Sequence, residues 1–447
     1  MKLRGWFGII AACTLRVTPL LAQPVSVPSP ERYVLQNGLT VVLAPDSAAS
    51  AVNVAVGYSV GQVSDREGYR GLAHLLEHLT FRGSRHLKPL EADKIFSELG
   101  VGYNASTGLE HTVYFSALPA RALETVLWVE SERMAFALDG IDAVALKAEQ
   151  RVVVNELAER RRTLSRMLWA NRQAILYGPN HPMGTSEDEA SDVEAVDLPA
   201  VQWFYQRTHR PDNATLVITG KFDAQAAHRW VEKYFSTLEN PPGPRLIVKA
   251  SAPRLCGVRS VTLGHPFLLG RYLEVTWALP GNVSPEEVVS LEVATNILSD
   301  RLRRVLQRQS YMASDTGVAV AHFQTHGLLS VRVQLQETAQ WTQVEQAIDT
   351  ETMRLAQVPL SDVELRNVRR RRASRSLRER ESGLAGAIQF AKGFDPSVDR
   401  QLEQSVSADT VRRAARVFAS ASLRLRAQPA RSAHENAIIL ADESRCP

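Results

Sequence analysis

At 447 residues, with 45% hydrophobic and 22% charged residues, the chain is long for one hydrophobic core and too apolar for a disordered polymer. A mean hydropathy of -0.16 argues against a multi-span membrane protein. The pI is near 9.0, but the formal net charge is only +4, too small an excess to imply nucleic acid.

Met1-Lys2-Leu3-Arg4 leads into an apolar stretch from Gly5 to Leu15, and Leu20-Leu21-Ala22-Gln23 offers a small-residue cleavage point after Ala22. This reads as an export signal over 1–22, with the bacterial periplasm as the expected destination. The apolar core is too short to span a bilayer and Arg16 interrupts it, so no transmembrane segment is expected in the mature chain. Ile10-Ala11-Ala12-Cys13 also resembles a lipoprotein cleavage box, which leaves lipid anchoring through Cys13 as an alternative. Cys256 and Cys446 either pair or remain separate thiols; spacing does not decide between the two.

Arg32 to Pro45 reads as a hairpin around Asn37-Gly38, a dipeptide favoured in tight turns, and Val52 to Val60 is a second alternating strand. Gly61-Gln62-Val63-Ser64 then turns the chain into residues 71–84, which contain His74, Glu77 and His78 as H-x-x-E-H. Helical positions four apart share a face, so both histidines can aim a ring nitrogen at one metal ion, with Glu77 on the adjoining turn. Leu72, Leu75, Leu76 and Leu79 cover other sides of that helix and imply burial, where an unpaired imidazole or carboxylate is costly. The plainer reading is a core helix whose polar residues find ordinary partners; histidine is scarce, 11 in the chain, which weighs against it.

A helix is expected around Leu90 to Leu99, a strand from His111 to Ala117, a helix from Arg121 to Leu138 and a long helix from Val144 to Leu176. Glu149 and Glu156 are two turns apart on that long helix and share a face; a solvated charged face is the ordinary meaning, and partial burial among Val152, Val153 and Val154 would demand a cation. After a turn-rich loop at 178–187 come a helix around Leu198 to Arg207, a strand from Ala214 to Thr219 and a helix from Ala224 to Phe235. Asn240-Pro241-Pro242-Gly243-Pro244 marks a linker over 237–255. The expected division is therefore 30–236, linker, 256–430 and a tail over 431–447.

The second half repeats the first. Leu273 to Leu279 is a strand, and Gly281-Asn282-Val283-Ser284 echoes Gly61 to Ser64 at an offset of 220. Carried forward, that offset sets Ala294, Ile297 and Leu298 against His74, Glu77 and His78, so one metal site per chain is expected. The arginine run within Arg366 to Arg380 reads as a solvated helix face or, more sharply, as a surface for an acidic partner or membrane headgroups.

These residues resemble the pitrilysin family of inverted-motif zinc peptidases, which includes insulin-degrading enzyme and the mitochondrial processing peptidase, and the chain is similar to its short bacterial-type members. Asn37-Gly38, Gly71 to His74, Glu77-His78, Phe81, Gly83, Asn104-Ala105, Thr107, Thr112, Tyr114, Glu149 with Glu156, His181-Pro182, Pro211, Asn213 and Gly220 fall in family order. The resemblance is specific over the first half and rests mainly on layout over the second. It implies an α+β fold of two homologous halves, each a mostly antiparallel sheet backed by helices, enclosing a cavity. It implies one Zn2+ held by His74, His78 and Glu156, with Glu77 as general base and Glu149 as a supporting carboxylate. Asn104, Ala105, Ser106 and Thr107 match the substrate-side edge strand. The implied activity is endopeptidase action on peptides or unfolded segments. The alternative is a non-catalytic or partner-dependent scaffold of the same family.

The second half departs from the family pattern. Many members supply an arginine and a tyrosine there; aligning Asp300-Arg301-Leu302 without gaps puts Gln307 or Arg308, and Ser314, at those positions. Arg304 and Tyr311 have the right separation after a three-residue shift. A homodimer, or a heterodimer with a metal-free family member, is the implied way of completing the site if neither pair serves.

Overall fold

A computed structural model describes residues 29–161, 163–178, 180–184, 190–266, 268–281, 283–430 and 438–445. The expected export signal, Cys13 and Cys446 lie outside these residues. Cys256 is disulfide-bonded.

The hairpin forms as read: β1 (Glu31–Val34) pairs antiparallel with β2 (Thr40–Pro45), and Asn37 in the turn donates to the carbonyls of Phe235 and Leu238 at 2.7 and 2.9 Å. There follow β3 (Val52–Tyr58), α1 (Leu72–Leu79), α2 (Glu91–Leu99), β4 (Gly102–Thr107), β5 (Thr112–Leu118), α3 (Leu123–Phe136), α4 (Ala143–Arg161), α5 (Leu164–Tyr177), α6 (Ala190–Ala195), α7 (Leu198–Thr208), β6 (Ala214–Gly220) and α8 (Ala224–Phe235). The strands make a sheet of order β1-β2-β6-β3-β5-β4, antiparallel except for β2 against β6. Residues 237–255 hold no helix or strand.

The second half contains β7 (Val258–His265), β8 (Arg271–Pro280), α9 (Pro285–Leu302), β9 (Ala313–His322), β10 (His326–Leu335), α10 (Trp341–Gln357), α11 (Asp362–Ser382), α12 (Leu384–Ala391), α13 (Pro396–Ser405), α14 (Ala408–Ala414), β11 (Ser422–Pro429) and β12 (Ile438–Arg445). Its sheet runs β12-β7-β11-β8-β10-β9, again with one parallel pair, β7 against β11. Five strands repeat the first sheet in position and sequence order. The sixth position is filled from opposite ends of the chain, by β1 in one sheet and β12 in the other. Part of the segment read as a C-terminal tail is thus the edge strand β12, antiparallel to β7.

The alternating strands are buried on both faces, and each half covers the other's open face. In the first sheet Val52, Val54, Val56 and Tyr58 pack with the leucines of α1, while Val42, Ala55, Val113 and Val217 on the opposite face meet Ala387 and Ala391 of α12. Gly57 permits that approach: a Cβ there would lie 2.1 Å from the carbonyl oxygen of Ala391. Reciprocally, Leu273, Val275 and Trp277 pack against α9, while Val261, Leu263, Leu423 and Leu425 meet Leu176 of α5. Each fully buried aliphatic side chain contributes about 1.5–3 kcal/mol. Arg172 of α5 reaches Glu274 of β8 at 2.6 Å, both buried.

This exchange explains a correction. The single helix expected from Val144 to Leu176 is two, because α4 stays against α1 while α5 crosses to the second sheet, and the chain must turn between them. Part of the arginine run is bound within the chain. Arg369 donates to the Val406 carbonyl, Arg371 pairs with Asp300, and Arg372 joins Glu292 and Glu403 at 2.8 and 2.6 Å, so these three bind second-half groups within the chain. Among the described residues no helix is long and apolar enough to cross a membrane.

Candidate functional site

Asp65 sets the start of α1: its two carboxylate oxygens accept from the N–H groups of Gly71 and Ala73, both at 2.8 Å, satisfying free donors of the first turn. The four leucines of α1 sink into the core and leave the opposite side to His74, Glu77 and His78. At the far end Thr80 donates its hydroxyl to the Glu77 carbonyl at 2.8 Å. Behind the helix, Thr80, Tyr114, His209 and Thr208 form a buried hydrogen-bonded chain with links of 3.2, 3.0 and 3.1 Å.

α4 packs against α1 and brings its carboxylates to the histidines. His74, His78 and Glu156 each present a ligand atom within 4.8 Å of the others. Nε2 of His74 lies 3.7 Å, and Nε2 of His78 3.3 Å, from Oε2 of Glu156, and the two rings stand nearly perpendicular at 4.9 Å. Burial, aided by His78, Arg160 and Arg166, drives His74 down to about 3, so its imidazole is neutral and its nitrogen free to ligate. Burial also pulls His78 down, but the Glu149 hydrogen bond and the charges of Glu156 and Glu77 outweigh it, and the net direction is up.

Glu149 is buried and faces Nδ1 of His78 at 3.4 Å; its other oxygen pairs with Arg82. Burial pushes its carboxyl up, yet His78 and Arg82 together hold it below the usual range. Arg160, four residues beyond Glu156, pairs with Oε1 of that glutamate. The solvated face is therefore not what these two glutamates form.

Glu77 is buried, and burial raises its carboxyl against the opposing pull of Thr107, His78 and Arg160. The Thr107 hydroxyl donates to its Oε2. Thr107 closes β4, one of the two edge strands of the first sheet, where Asn104, Ala105 and Ser106 also lie, and the Ala105 N–H is taken by the Asn104 side chain at 2.8 Å. Sequence reasoning assigned Thr107 to the edge strand but missed its bond to Glu77, and it missed Arg82 and Arg160. The Glu156–Arg160 spacing carried a signal; the Thr107 bond depends on how β4 meets α1, and the Arg82 pair on how α4 packs beside the end of α1.

In the second half Ala294, Ile297 and Leu298 lie buried on α9, apolar where α1 is polar. Arg303–Gln309 continues α9 as a π-helix that holds Arg304 on an exposed position, and Tyr311 follows with φ 53 and 72% exposure. No hydrogen bond or ion pair among the described residues joins either to the His74 cluster. In the ungapped alignment, Gln307 donates to the Ser314 carbonyl at 3.2 Å.

A family model described as insulinase, peptidase family M16, matches residues 40–183, and one described as the peptidase M16 inactive domain matches residues 195–372. The chain belongs to peptidase family M16. M16 relatives include the zinc protease PqqE of Helicobacter pylori, 31% identical over 222 residues, 48% of each chain. The probable mitochondrial-processing peptidase subunit beta of Schizosaccharomyces pombe is 26% identical over 215 residues, 48% of this chain and 46% of that one. These matches span about half the length of the curated relatives. Among solved structures, a protease from Helicobacter pylori superposes with a TM-score of 0.81 at 22% identity, over 90% of this chain and 100% of that one. The periplasmic protease PqqL of Escherichia coli superposes with a TM-score of 0.73 at 17% identity, over 90% of this chain but 48% of that one. At such identities these two establish the fold, the α+β pair of halves expected from the sequence.

Proposed function

We propose that the chain is an exported zinc endopeptidase that hydrolyses peptide bonds in peptides or unfolded segments. The observation that carries this reading is the convergence of His74, His78 and Glu156 within 4.8 Å, beside the buried carboxylate of Glu77. The donor set suits the ion: two imidazoles and one carboxylate are the ligands of a zinc site that keeps a position open for chemistry. Glu149 at Nδ1 of His78 fixes which ring nitrogen is turned inward, the usual service of a carboxylate behind a metal-binding histidine. Zinc in this site supplies Lewis acidity to a water and to the scissile carbonyl.

Glu77 is the general base, taking a proton from the attacking water and returning it to the departing amine. Thr107 holds one of its oxygens and sets its aim. The edge strand β4 receives an extended peptide by backbone pairing, so Asn104 to Thr107 touch substrate and specificity lies in side-chain pockets. Export is supported by the N-terminal signal pattern and by the periplasmic protein among the similar structures.

The active form contains two chains, a homodimer or a heterodimer with a metal-free M16 member. Support comes from Arg304 and Tyr311, which are exposed on their own chain and bond to none of His74, His78 and Glu156. Sedimentation across a dilution series, run beside activity, tests this: activity falling with dissociation is expected, and full activity of a monomer contradicts it.

The test of the reaction is a peptide-library digest with zinc analysis. One zinc per chain is expected, with cleavage abolished by chelator and restored by zinc. Cleavage indifferent to chelator overturns the assignment.

A further inference from the structure

Between Thr107 and Thr112 the chain reverses from β4 to β5, in a turn closed by the Gly108 N–H donating to the His111 carbonyl at 2.8 Å. The carbonyls of Gly108 and Leu109 accept from the N–H groups of Gln62 and Val63 at 3.0 and 2.9 Å. Gly61 leaves no room for slack: a Cβ there would sit 2.4 Å from the Gly108 oxygen and 2.5 Å from that of Leu109. The first half therefore braces this turn through its backbone, helped by the Thr112 hydroxyl, which donates to the Val60 carbonyl at 3.0 Å.

The other brace comes from the second half. Glu110 is buried, 5% exposed, and its Oε2 accepts from the backbone N–H of Gln324 at 2.8 Å across 214 positions of sequence. Gln324 lies at the tip of the β9–β10 hairpin, which the Phe323 N–H closes on the His326 carbonyl at 2.8 Å. That tip is itself fixed: Tyr177 meets Nε2 of His326 at 2.6 Å, and Thr325 donates to the Ala250 carbonyl. Glu110 thus bonds to a rigid part of the second half. A buried carboxylate is costly, and Oε1 of Glu110 has no protein partner among the described residues, so stability alone does not favour this residue type here.

We propose that Glu110 is a positioning residue for the cleavage reaction: by tying the β4–β5 turn to the second half it fixes Thr107, three residues back, and through Thr107 the aim of Glu77. The proposal rests on Glu77 as the base. It gives the metal-free half a share in catalysis without any contact with the metal or the peptide.

The test compares Glu110→Ala, Glu110→Gln, Thr107→Val and the Glu110→Ala/Thr107→Val pair in the full chain. Glu110→Ala is expected to lower kcat about tenfold with a smaller change in KM and zinc content unchanged, the signature of a misaimed group. Glu110→Gln keeps an oxygen for the Gln324 N–H and is expected to recover kcat to within about twofold of the parent. The double variant is expected to be no slower than Thr107→Val, because both changes act on one path. An unchanged kcat in Glu110→Ala, or losses that multiply in the double variant, overturns the proposal. Hydrogen exchange over residues 108–111 gives a readout independent of cleavage: faster exchange in Glu110→Ala than in Glu110→Gln is expected, and equal rates overturn the proposal. A parent chain that cleaves nothing defeats the peptidase reading, and the exchange comparison then still decides whether Glu110 holds the turn.

Discussion

Thr107 donates its hydroxyl hydrogen to Oε2 of Glu77, joining the outer edge of the first sheet to the helix that carries both candidate metal-binding histidines. On the proposed reading, one strand receives the peptide and holds the base, which sets the two in one frame. Thr107→Val removes the bond at nearly constant volume and is expected to lower kcat about tenfold, with bound zinc unchanged, a modest share of what a general base contributes. Steady-state kinetics with metal analysis check this.

Glu149 stands behind His78 at 3.4 Å and touches no other candidate ligand by an ion pair. Glu149→Gln is expected to weaken zinc binding about 10–100-fold, as outer partners of ligating histidines commonly do, while the fold persists. Competition against a chromophoric chelator measures it.

Arg172 and Glu274 form a buried pair between a first-half helix and the second sheet, with Arg332 on the other carboxylate oxygen at 3.1 Å. Arg172→Ala strips one of the two partners of Glu274 and is expected to destabilise the protein by about 1–3 kcal/mol, whereas replacing Arg172 and Glu274 together by apolar residues is expected to cost less. Urea unfolding separates the two outcomes.

His209 is buried, stacked on Tyr58 at 4.2 Å, and burial with the nearby Arg133 holds it down at about 3. Unfolded histidine titrates near 6.5. The folded value is depressed, so the stability that neutral His209 confers is complete above about pH 6.5 and drains away as pH falls towards 3. Between pH 6.5 and 5 this site is expected to cost about 2 kcal/mol, at 1.36 kcal/mol per pH unit. Urea unfolding at the two pH values should show a flatter dependence in His209→Gln than in the parent.

The first half was legible because its signals are local. Asn37-Gly38 announces a hairpin, and His74, Glu77 and His78 declare a shared helical face over four residues. The repeat also showed in sequence, since Gly281 to Ser284 copies the Gly61 to Ser64 pattern and α9 carries Ala294, Ile297 and Leu298 in register.

What escaped depends on contacts made at long range. Nothing in Val144 to Leu176 says that its end belongs against Leu263 and Leu425, nor does the composition of 431–447 reveal a partner strand in β7. Residues 52–58 alternate as a one-sided strand would, and only the arrival of α12 buries the second face. In the site, Arg82 and the Thr107 bond were hidden for the same reason. Arg160 was the exception, four residues from Glu156 on one helix.

The most direct test of the account is Glu77→Gln, assayed with zinc bound. The substitution keeps the shape of the side chain and removes its capacity to take a proton. Peptide cleavage is expected to fall at least about a hundredfold while zinc stays near one per chain. Full cleavage by that variant with metal in place would contradict the account at its centre.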